Sequence, residues 1–198
     1  LSSLLNKKFG NKINIINDDI LKITEKKISK EKLIVFGNLP YNISTEILSK
    51  WIINLDNEFW FSNLILMFQK EVADRIIANY NSSNYGRLSI LSNWKLNIEK
   101  IIDIKPSSFL PKPKIDSSLL HFYPKTKFFK VQNPKNLEMI TRIFFSQRRK
   151  MIKKPFSQIF KNTESVSKKF NIDLNLRPQN LSPETYYRLT EEYENLRS

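Results

Sequence analysis

Four consecutive apolar residues, Leu33-Ile-Val-Phe36, running into Gly37-Asn-Leu-Pro40, constrain this chain more than any other stretch. Large side chains in unbroken succession suit a strand covered on both faces, as in an open α/β sheet. Glycine and proline close together then end the strand. Ligands of such sheets bind in the crevice beyond the carboxyl ends of the strands, so Asn38, Leu39, Pro40 and Tyr41 form the expected site turn. Taken alone, the four residues read equally well as an ordinary turn, because Asn and Pro are common turn formers.

The groups on that turn suit one chemistry. Asn38 carries a side-chain carbonyl, and the Leu39 main-chain carbonyl, restricted by the Pro40 ring, can face the same point. Two converging acceptors match an exocyclic amine with two N–H bonds to give. Tyr41 offers a flat face for the ring that bears it. Accepting both hydrogens of an adenine amine draws the nitrogen lone pair out of ring conjugation, toward an electrophile such as a methyl sulfonium.

Charge and composition narrow the partners. Thirty-three Lys and Arg against 19 Asp and Glu give a net charge of +14. A polyanion is the natural partner, with nucleic acid ahead of a membrane surface; a solvated lysine-rich face is the plain alternative. The chain has no cysteine, which excludes disulfides, thiolate nucleophiles and cysteine zinc sites. Its one histidine, His121, lies in the alternating run Ser118 to Tyr123 and reads as a strand residue. Neither a Ser-His-Asp triad nor a histidine metal cluster is expected. No apolar run approaches the ~18 residues of a membrane span, and no secretory signal opens the chain. A reducing, cytoplasmic setting with no membrane partner is the expectation.

One absence concerns cofactors. Glycines occur only at 10, 37 and 86, with no Gly-x-Gly-x-x-Gly turn. A doubly wound sheet that binds a nucleotide-like cofactor normally uses that turn for close backbone approach. The chain also opens on Leu1 instead of Met, so it is expected to start inside a domain.

Periodicity places the remaining elements. Leu1, Leu4, Leu5 and Phe9 form a helical stripe stopped at Gly10-Asn11. Ile13 to Ile16 reads as a short strand with Asp18-Asp19 at its carboxyl end, where an acid can accept from a cofactor amine or merely occupy a loop. Ser44 is expected to cap a helix with the core stripe Ile47, Leu48, Trp51, Ile52 and Leu55. Asn63 to Phe68 is the next strand, and Gln69-Lys-Glu-Val72 turns into a helix start held by an ion pair. Tyr85-Gly-Arg87 opens another helix. Ile98 to Ile104 and Ser117 to Tyr123 read as strands separated by a proline-stiffened connection, residues 105 to 114. Phe109 on that connection is a candidate second face of a base sandwich, although a core plug is an equal fate for a loop Phe.

Beyond Lys125 the texture becomes helical. Asn133-Pro134 starts one helix, Pro155 interrupts or restarts it, Val166 and Phe170 mark another, and Ser182-Pro-Glu184 caps the last. Residues 126–198 hold 15 Lys and Arg against 7 Asp and Glu, so they carry +8 of the net charge. Arg142, Arg148, Arg149, Lys150, Lys153 and Lys154 form a cluster without an acid, suited to phosphate binding. Two domains are expected, 1–125 and 126–198.

In order, Asn38-Leu-Pro-Tyr-Asn-Ile-Ser-Thr45, Gln69-Lys-Glu-Val72, Tyr85-Gly-Arg-Leu-Ser89, Phe109-Leu-Pro-Lys-Pro-Lys-Ile-Asp-Ser117, Phe145-Ser-Gln-Arg-Arg-Lys150 and Arg177-Pro-Gln-Asn-Leu-Ser182 resemble the KsgA-type small-subunit rRNA adenine dimethyltransferases. The resemblance implies an α/β, Rossmann-like class I S-adenosylmethionine methyltransferase domain, incomplete at its N-terminus, followed by a small all-helical rRNA-binding domain. The implied activity transfers methyl groups from S-adenosylmethionine to the amines of two adjacent adenines near the 3′ end of small-subunit rRNA. The implied partner is the small-subunit rRNA or its precursor particle, bound by a monomer. By the same resemblance, Asn38 contacts the cofactor and orients the amine with the Leu39 carbonyl, and Tyr41 and Phe109 stack the base. Asp19, or else Asp18, accepts from the cofactor's adenine. Arg148, Arg149 and Lys150 grip phosphates with help from Arg87.

The family's glycine-rich loop and ribose-binding acid should lie upstream of Leu1. A chain lacking them would bind S-adenosylmethionine poorly. Two other readings share the fold: the large-subunit methyltransferases of macrolide resistance, and a silent RNA-binding or assembly factor. The Phe145–Lys150 and Arg177–Ser182 runs argue against the first.

Overall fold

The computed structural model describes residues 1–55 and 58–197. They form two compact units, Leu1–Lys30 and Glu31–Ser198.

In the first unit, α1 (Ser2–Phe9) ends at Gly10, whose φ of +52° lies in the left-handed region that glycine enters without strain. The Gly10 N–H donates to the Asn6 carbonyl and closes the helix. The strand expected at Ile13–Ile16 does not form. The segment is extended chain without ladder partners, and Ile13 and Ile16 are both exposed. A strand exists only through hydrogen bonds to a neighbour, and three isoleucines in four residues do not supply one.

The second unit is built on a four-stranded sheet of β1 (Leu33–Asn38), β2 (Phe61–Gln69), β3 (Leu96–Ile104) and β4 (Ser117–Pro124), in the order β1-β2-β4-β3. β1 and β2 are parallel, joined through α2 (Ser44–Ile53), while β4 runs antiparallel to both of its neighbours. After β2 the chain enters α3 (Lys70–Ile76) and α4 (Arg87–Lys95), and α4 packs on α2. Ile47, Leu48 and Ile52 of α2 meet a core in which Phe61, Leu64, Leu66 and Phe68 of β2 are fully buried. The α2 stripe read from the sequence is this core face.

Two expectations need correction here. β1 is not covered on both faces: burial alternates along it, with Ile34 60% and Phe36 78% exposed. It is an edge strand of the described sheet, and only the face bearing Leu33 and Val35 packs. Ser44 is not the cap of α2. Ile43 occupies that position without a side-chain bond, and Ser44 is the first helical residue. Its Oγ donates instead to the Tyr41 carbonyl at 3.2 Å, because the Pro40 turn, closed by Ile43 N–H to the Pro40 carbonyl, runs straight into the helix.

Beyond Pro124 come α5 (Pro134–Phe145), α6 (Lys153–Ile159), α7 (Thr163–Lys169) and α8 (Pro183–Asn195). Asn133 caps α5 by accepting from the Lys135 N–H, and Ser182 caps α8 by accepting from the Thr185 N–H. α5 packs on α4 and α8 through Leu137, Ile140, Phe144, Tyr186 and Leu189, all fully buried. The buried Glu194 carboxylate accepts from the Gln132 and Asn133 N–H groups, each at 2.8 Å, and from Asn136 Nδ2 at 3.0 Å. That fixes the end of α8 to the start of α5.

Gly37 illustrates how tightly β1 lies on β2. A Cβ there would meet Leu66 Cδ2 at 2.7 Å and Leu39 Cδ2 at 3.2 Å, and Leu66 is fully buried with little room to move. Gly37→Ala should therefore cost about 1–3 kcal/mol of unfolding free energy, the usual range for overpacking. Urea unfolding checks this, and an unchanged midpoint would show that Leu66 yields freely.

Candidate active site and basic surface

Strand register brings the expected site residues to one edge. Asn38 of β1 pairs with Met67, Gln69 of β2 pairs with Ser117, and Ser117 of β4 also pairs with Ile104 of β3. The carboxyl ends of β1, β2 and β3 and the start of β4 thus lie together. The Asn38–Tyr41 turn and the 105–116 connection emerge side by side.

Within the turn, Asn38 is exposed at the strand end and Leu39 is half-buried. The Pro40 carbonyl is taken by the Ile43 N–H at 3.1 Å and the Tyr41 carbonyl by Ser44 Oγ. The Leu39 carbonyl is left over. The turn consumes its later acceptors internally and keeps the Asn38–Leu39 pair open. Tyr41 is half-buried, and its hydroxyl lies 2.6 Å from Ser117 Oγ. Ser117, fully buried at the start of β4, fixes one end of the Tyr41 side chain across the sheet edge. Sequence reading did not single out Ser117, because the bond joins residues 76 positions apart.

Phe109 is half-buried and follows a tight turn, Pro106–Ser108, its N–H donating to the Pro106 carbonyl at 3.2 Å. Beneath this connection lies an ion pair: Lys70 Nζ is 2.5 Å from Asp103 Oδ2, and Ser118 Oγ donates to Asp103 Oδ1 at 2.6 Å. The Lys70 ammonium first, and then the Ser118 hydroxyl, hold the Asp103 carboxyl well below the ordinary carboxylate range. The same pair raises the Lys70 ammonium. The helix-start ion pair expected near Lys70 thus reaches across to β3, while Glu71 pairs with Arg75. His121 is a strand residue whose Nε2 lies 2.7 Å from Asn63 Oδ1.

In the first unit, Asp18 and Asp19 are both exposed. The Asp19 N–H donates to Asp18 Oδ1 at 2.7 Å and the Leu21 N–H to Asp19 Oδ1 at 2.9 Å. One Asp19 oxygen therefore holds a local turn, leaving Oδ2 for another donor. Among the described residues no group of three or more His, Cys, Asp or Glu could hold a metal ion.

The basic residues separate into two kinds. Arg87 forms an ion pair at 2.5 Å with Glu138, joining α4 to α5. Arg148 donates to the carbonyls of Ser82 and Ser83, tying the end of α5 to the 79–84 loop. That loop is also held by Asn180 Nδ2, which donates to Asn81 Oδ1 at 2.7 Å, and by the Asn81 N–H, which donates to the Gln179 carbonyl. These two arginines act as joints. Arg142, Arg149, Lys150, Lys153 and Lys154 are exposed instead. Arg149, Lys150, Lys153 and Lys154 line a broad concave surface of about 1010 Å³, together with Asn175 and Arg177. Arg177, which opens the Arg177–Ser182 run, is not among the basic residues expected from the sequence to meet phosphate, yet it lines the same surface.

The model of the family described as Ribosomal RNA adenine dimethylase matches residues 1–195. Ribosomal RNA small subunit methyltransferase A of Pelagibacter ubique (strain HTCC1062) is 70% identical over 197 residues, covering all of this chain and 75% of that protein. The protein of the same name from Wolbachia sp. subsp. Drosophila simulans (strain wRi) is 43% identical over 183 residues, 92% of this chain and 66% of the other. Among solved structures, a dimethyladenosine transferase from Plasmodium falciparum aligns with a TM-score of 0.78 at 25% identity, covering 98% of this chain and 77% of that one. The 23S rRNA methyltransferase ErmE shares the fold, with a TM-score of 0.62 at 18% identity over 97% of this chain and 77% of its own.

The pair beneath the connection has a defined pH response. Because the folded Asp103 carboxyl titrates below its ordinary value of 3.8, its contribution is complete above that value and is lost only as pH falls through the depressed one. Both partners are more than a third exposed, so the contribution is modest and screened by salt. Asp103→Asn should lower the urea midpoint at about pH 7 and equally at about pH 5, with the gap to wild type closing only near pH 2. A gap already absent at about pH 7, or one that stays unchanged as pH falls below about 3, would show that Lys70 does not hold the carboxylate.

Proposed function

Because the chain belongs to the ribosomal RNA adenine dimethylase family, we propose that its Asn38–Tyr41 turn is where an rRNA adenine amine is methylated. The observation that carries this reading is the pairing of an exposed Asn38 with an uncommitted Leu39 carbonyl at the sheet edge, beside an aromatic ring tethered by Ser117. The protein is an rRNA adenine dimethyltransferase that uses S-adenosylmethionine. S-adenosylmethionine supplies an electrophilic methyl group when bound.

The residues present fit the donor's polar groups: Asn38 is exposed at a strand's carboxyl end, and Asp19 keeps one carboxylate oxygen free. Asn38 is the residue proposed to contact it; within the first unit, taken by itself, Asp19 is proposed as an acid able to accept from an adenine amine. Asp18 is the fallback for the acid.

Asn38 Oδ1 and the Leu39 carbonyl each accept one hydrogen of the adenine amine. The nitrogen lone pair is thereby withdrawn from the ring and made available out of plane. Pro40 restricts Leu39 so that its carbonyl keeps its direction. Tyr41 stacks on the base that has left its helix, with its hydroxyl tethered to Ser117 so that the ring cannot swing away. Phe109, on the neighbouring connection, supplies the opposite face. No histidine serves as a base, since His121 is tied to Asn63. The methylated nitrogen is acidic enough to release its proton to water.

The substrate is ribosomal RNA, and the small subunit is the particle acted on. Arg149, Lys150, Lys153 and Lys154, with Arg177 on the same concave surface and Arg142 nearby in sequence, grip its phosphates, whereas Arg87 and Arg148 keep the joints between helices and loop. The protein works as a monomer in the cytoplasm without a membrane partner. Among the described residues no helix is long and apolar enough to cross a membrane.

Asn38→Ala in the intact protein should abolish methyl incorporation into unmethylated small ribosomal particles while RNA binding persists. Unchanged turnover would remove Asn38 from the mechanism. Supplying small and large particles separately tests the particle choice, and incorporation into large particles alone would favour the macrolide-resistance reading. Changing Arg149, Lys150 and Lys153 together to Ala should lower the log–log salt dependence of RNA affinity by roughly one for each phosphate no longer neutralised. An unaltered slope would make those cations a solvated face.

A further inference from the structure

Leu110 is 101% exposed, more than any other large apolar residue described. Its place in the chain is well fixed. On one side the Ser108 N–H donates to the Lys105 carbonyl at 3.0 Å and the Phe109 N–H to the Pro106 carbonyl at 3.2 Å. At the base of the connection, Lys105 Nζ lies 3.5 Å from Asp116 Oδ2, and the Asp116 carbonyl accepts from the Lys70 N–H at 2.9 Å. Pro106, Pro111 and Pro113 restrict the backbone between. An isobutyl group is therefore held out in water on an anchored support, with none of the described residues covering it.

Its surroundings indicate what covers it. Lys105, Lys112 and Lys114 on the same connection are exposed, and the one acid there, Asp116, is paired with Lys105. An apolar point within a cationic collar suits a polyanion that also presents apolar surface. Nucleic acid does so, with phosphates outside and base faces within the stack. The connection leaves the sheet at the edge that carries Asn38 and Tyr41, next to where the adenine must arrive unstacked.

We propose that Leu110 is a positioning residue for the transfer: an apolar wedge that enters the base stack of the substrate RNA and fills the space left by the adenine. This rests on the reading of the Asn38–Tyr41 turn as a methyl-transfer site. Leu110 touches the neighbouring base, and the lysines hold the phosphates on either side. A base that swings out leaves a gap, and an inserted side chain slows its return.

The test uses the intact protein, S-adenosylmethionine and small-subunit rRNA carrying 2-aminopurine next to the target adenine. Wild type should raise the fluorescence on binding. Leu110→Ala should lose most of that rise and lower kcat/KM by roughly tenfold or more, Leu110→Met should retain both, and the melting temperature should stay unchanged in each. On an RNA whose target adenine already lies in an unpaired, unstacked segment, Leu110→Ala should recover most of its activity. Wild-type transfer and fluorescence preserved in Leu110→Ala would overturn the wedge alone, as would an equal loss on the unstacked RNA, which marks a general RNA-binding role. No transfer by wild type to small-subunit RNA, either free or within unmethylated small ribosomal particles, would overturn the methyl-transfer reading and the wedge with it.

Discussion

The direction of β4 decides what this molecule can do. Inserted antiparallel between β2 and β3, it starts where β1, β2 and β3 end, so Ser117 meets Gln69, Ile104 and the Tyr41 hydroxyl at one edge. Were β4 parallel, the connection after β3 would have to cross to the opposite edge, and Ser117 would lie a strand's length from Tyr41. The chemistry assigned to Asn38 and Leu39 needs only a short turn. The two aromatic faces need the whole sheet to be threaded in this way.

Positive charge is divided by burial more than by sequence. Arg87 and Arg148 are half-buried, and their terminal nitrogens donate to Glu138 and to the carbonyls of Ser82 and Ser83. Arg149 and Lys150, immediately after Arg148, face outward on the concave basic surface. A planar, always-charged guanidinium suits the first role because it bridges several acceptors at once; exposed cations suit the second because phosphates are bound largely by charge.

Much of this was readable in the chain itself, wherever the signal was local. Gly37 and Pro40 locate the strand end within a residue or two, Asn133-Pro134 and Ser182-Pro183 mark helix starts, and the Ile47–Leu55 stripe names a buried face. What depends on distant partners was not readable. Leu33-Ile-Val-Phe36 has the same composition whether one face packs or two, and Ile34 and Phe36 are exposed because no described element covers their face of the sheet. Ile13–Ile16 has strand composition but no ladder. Adjacent arginines at 148 and 149 look alike until the 79–84 loop arrives to occupy one of them.

The ties at Arg148, Asn180 and Arg87 carry a thermodynamic consequence. Each links a segment that precedes β3 to one that follows β4, so the helices cannot come away without also freeing the 79–84 loop and the start of α4. Heated in a calorimeter, the second unit would absorb its heat in one sharp peak, with the van't Hoff and calorimetric enthalpies agreeing. Sheet and helices would share a single melting event despite their different textures.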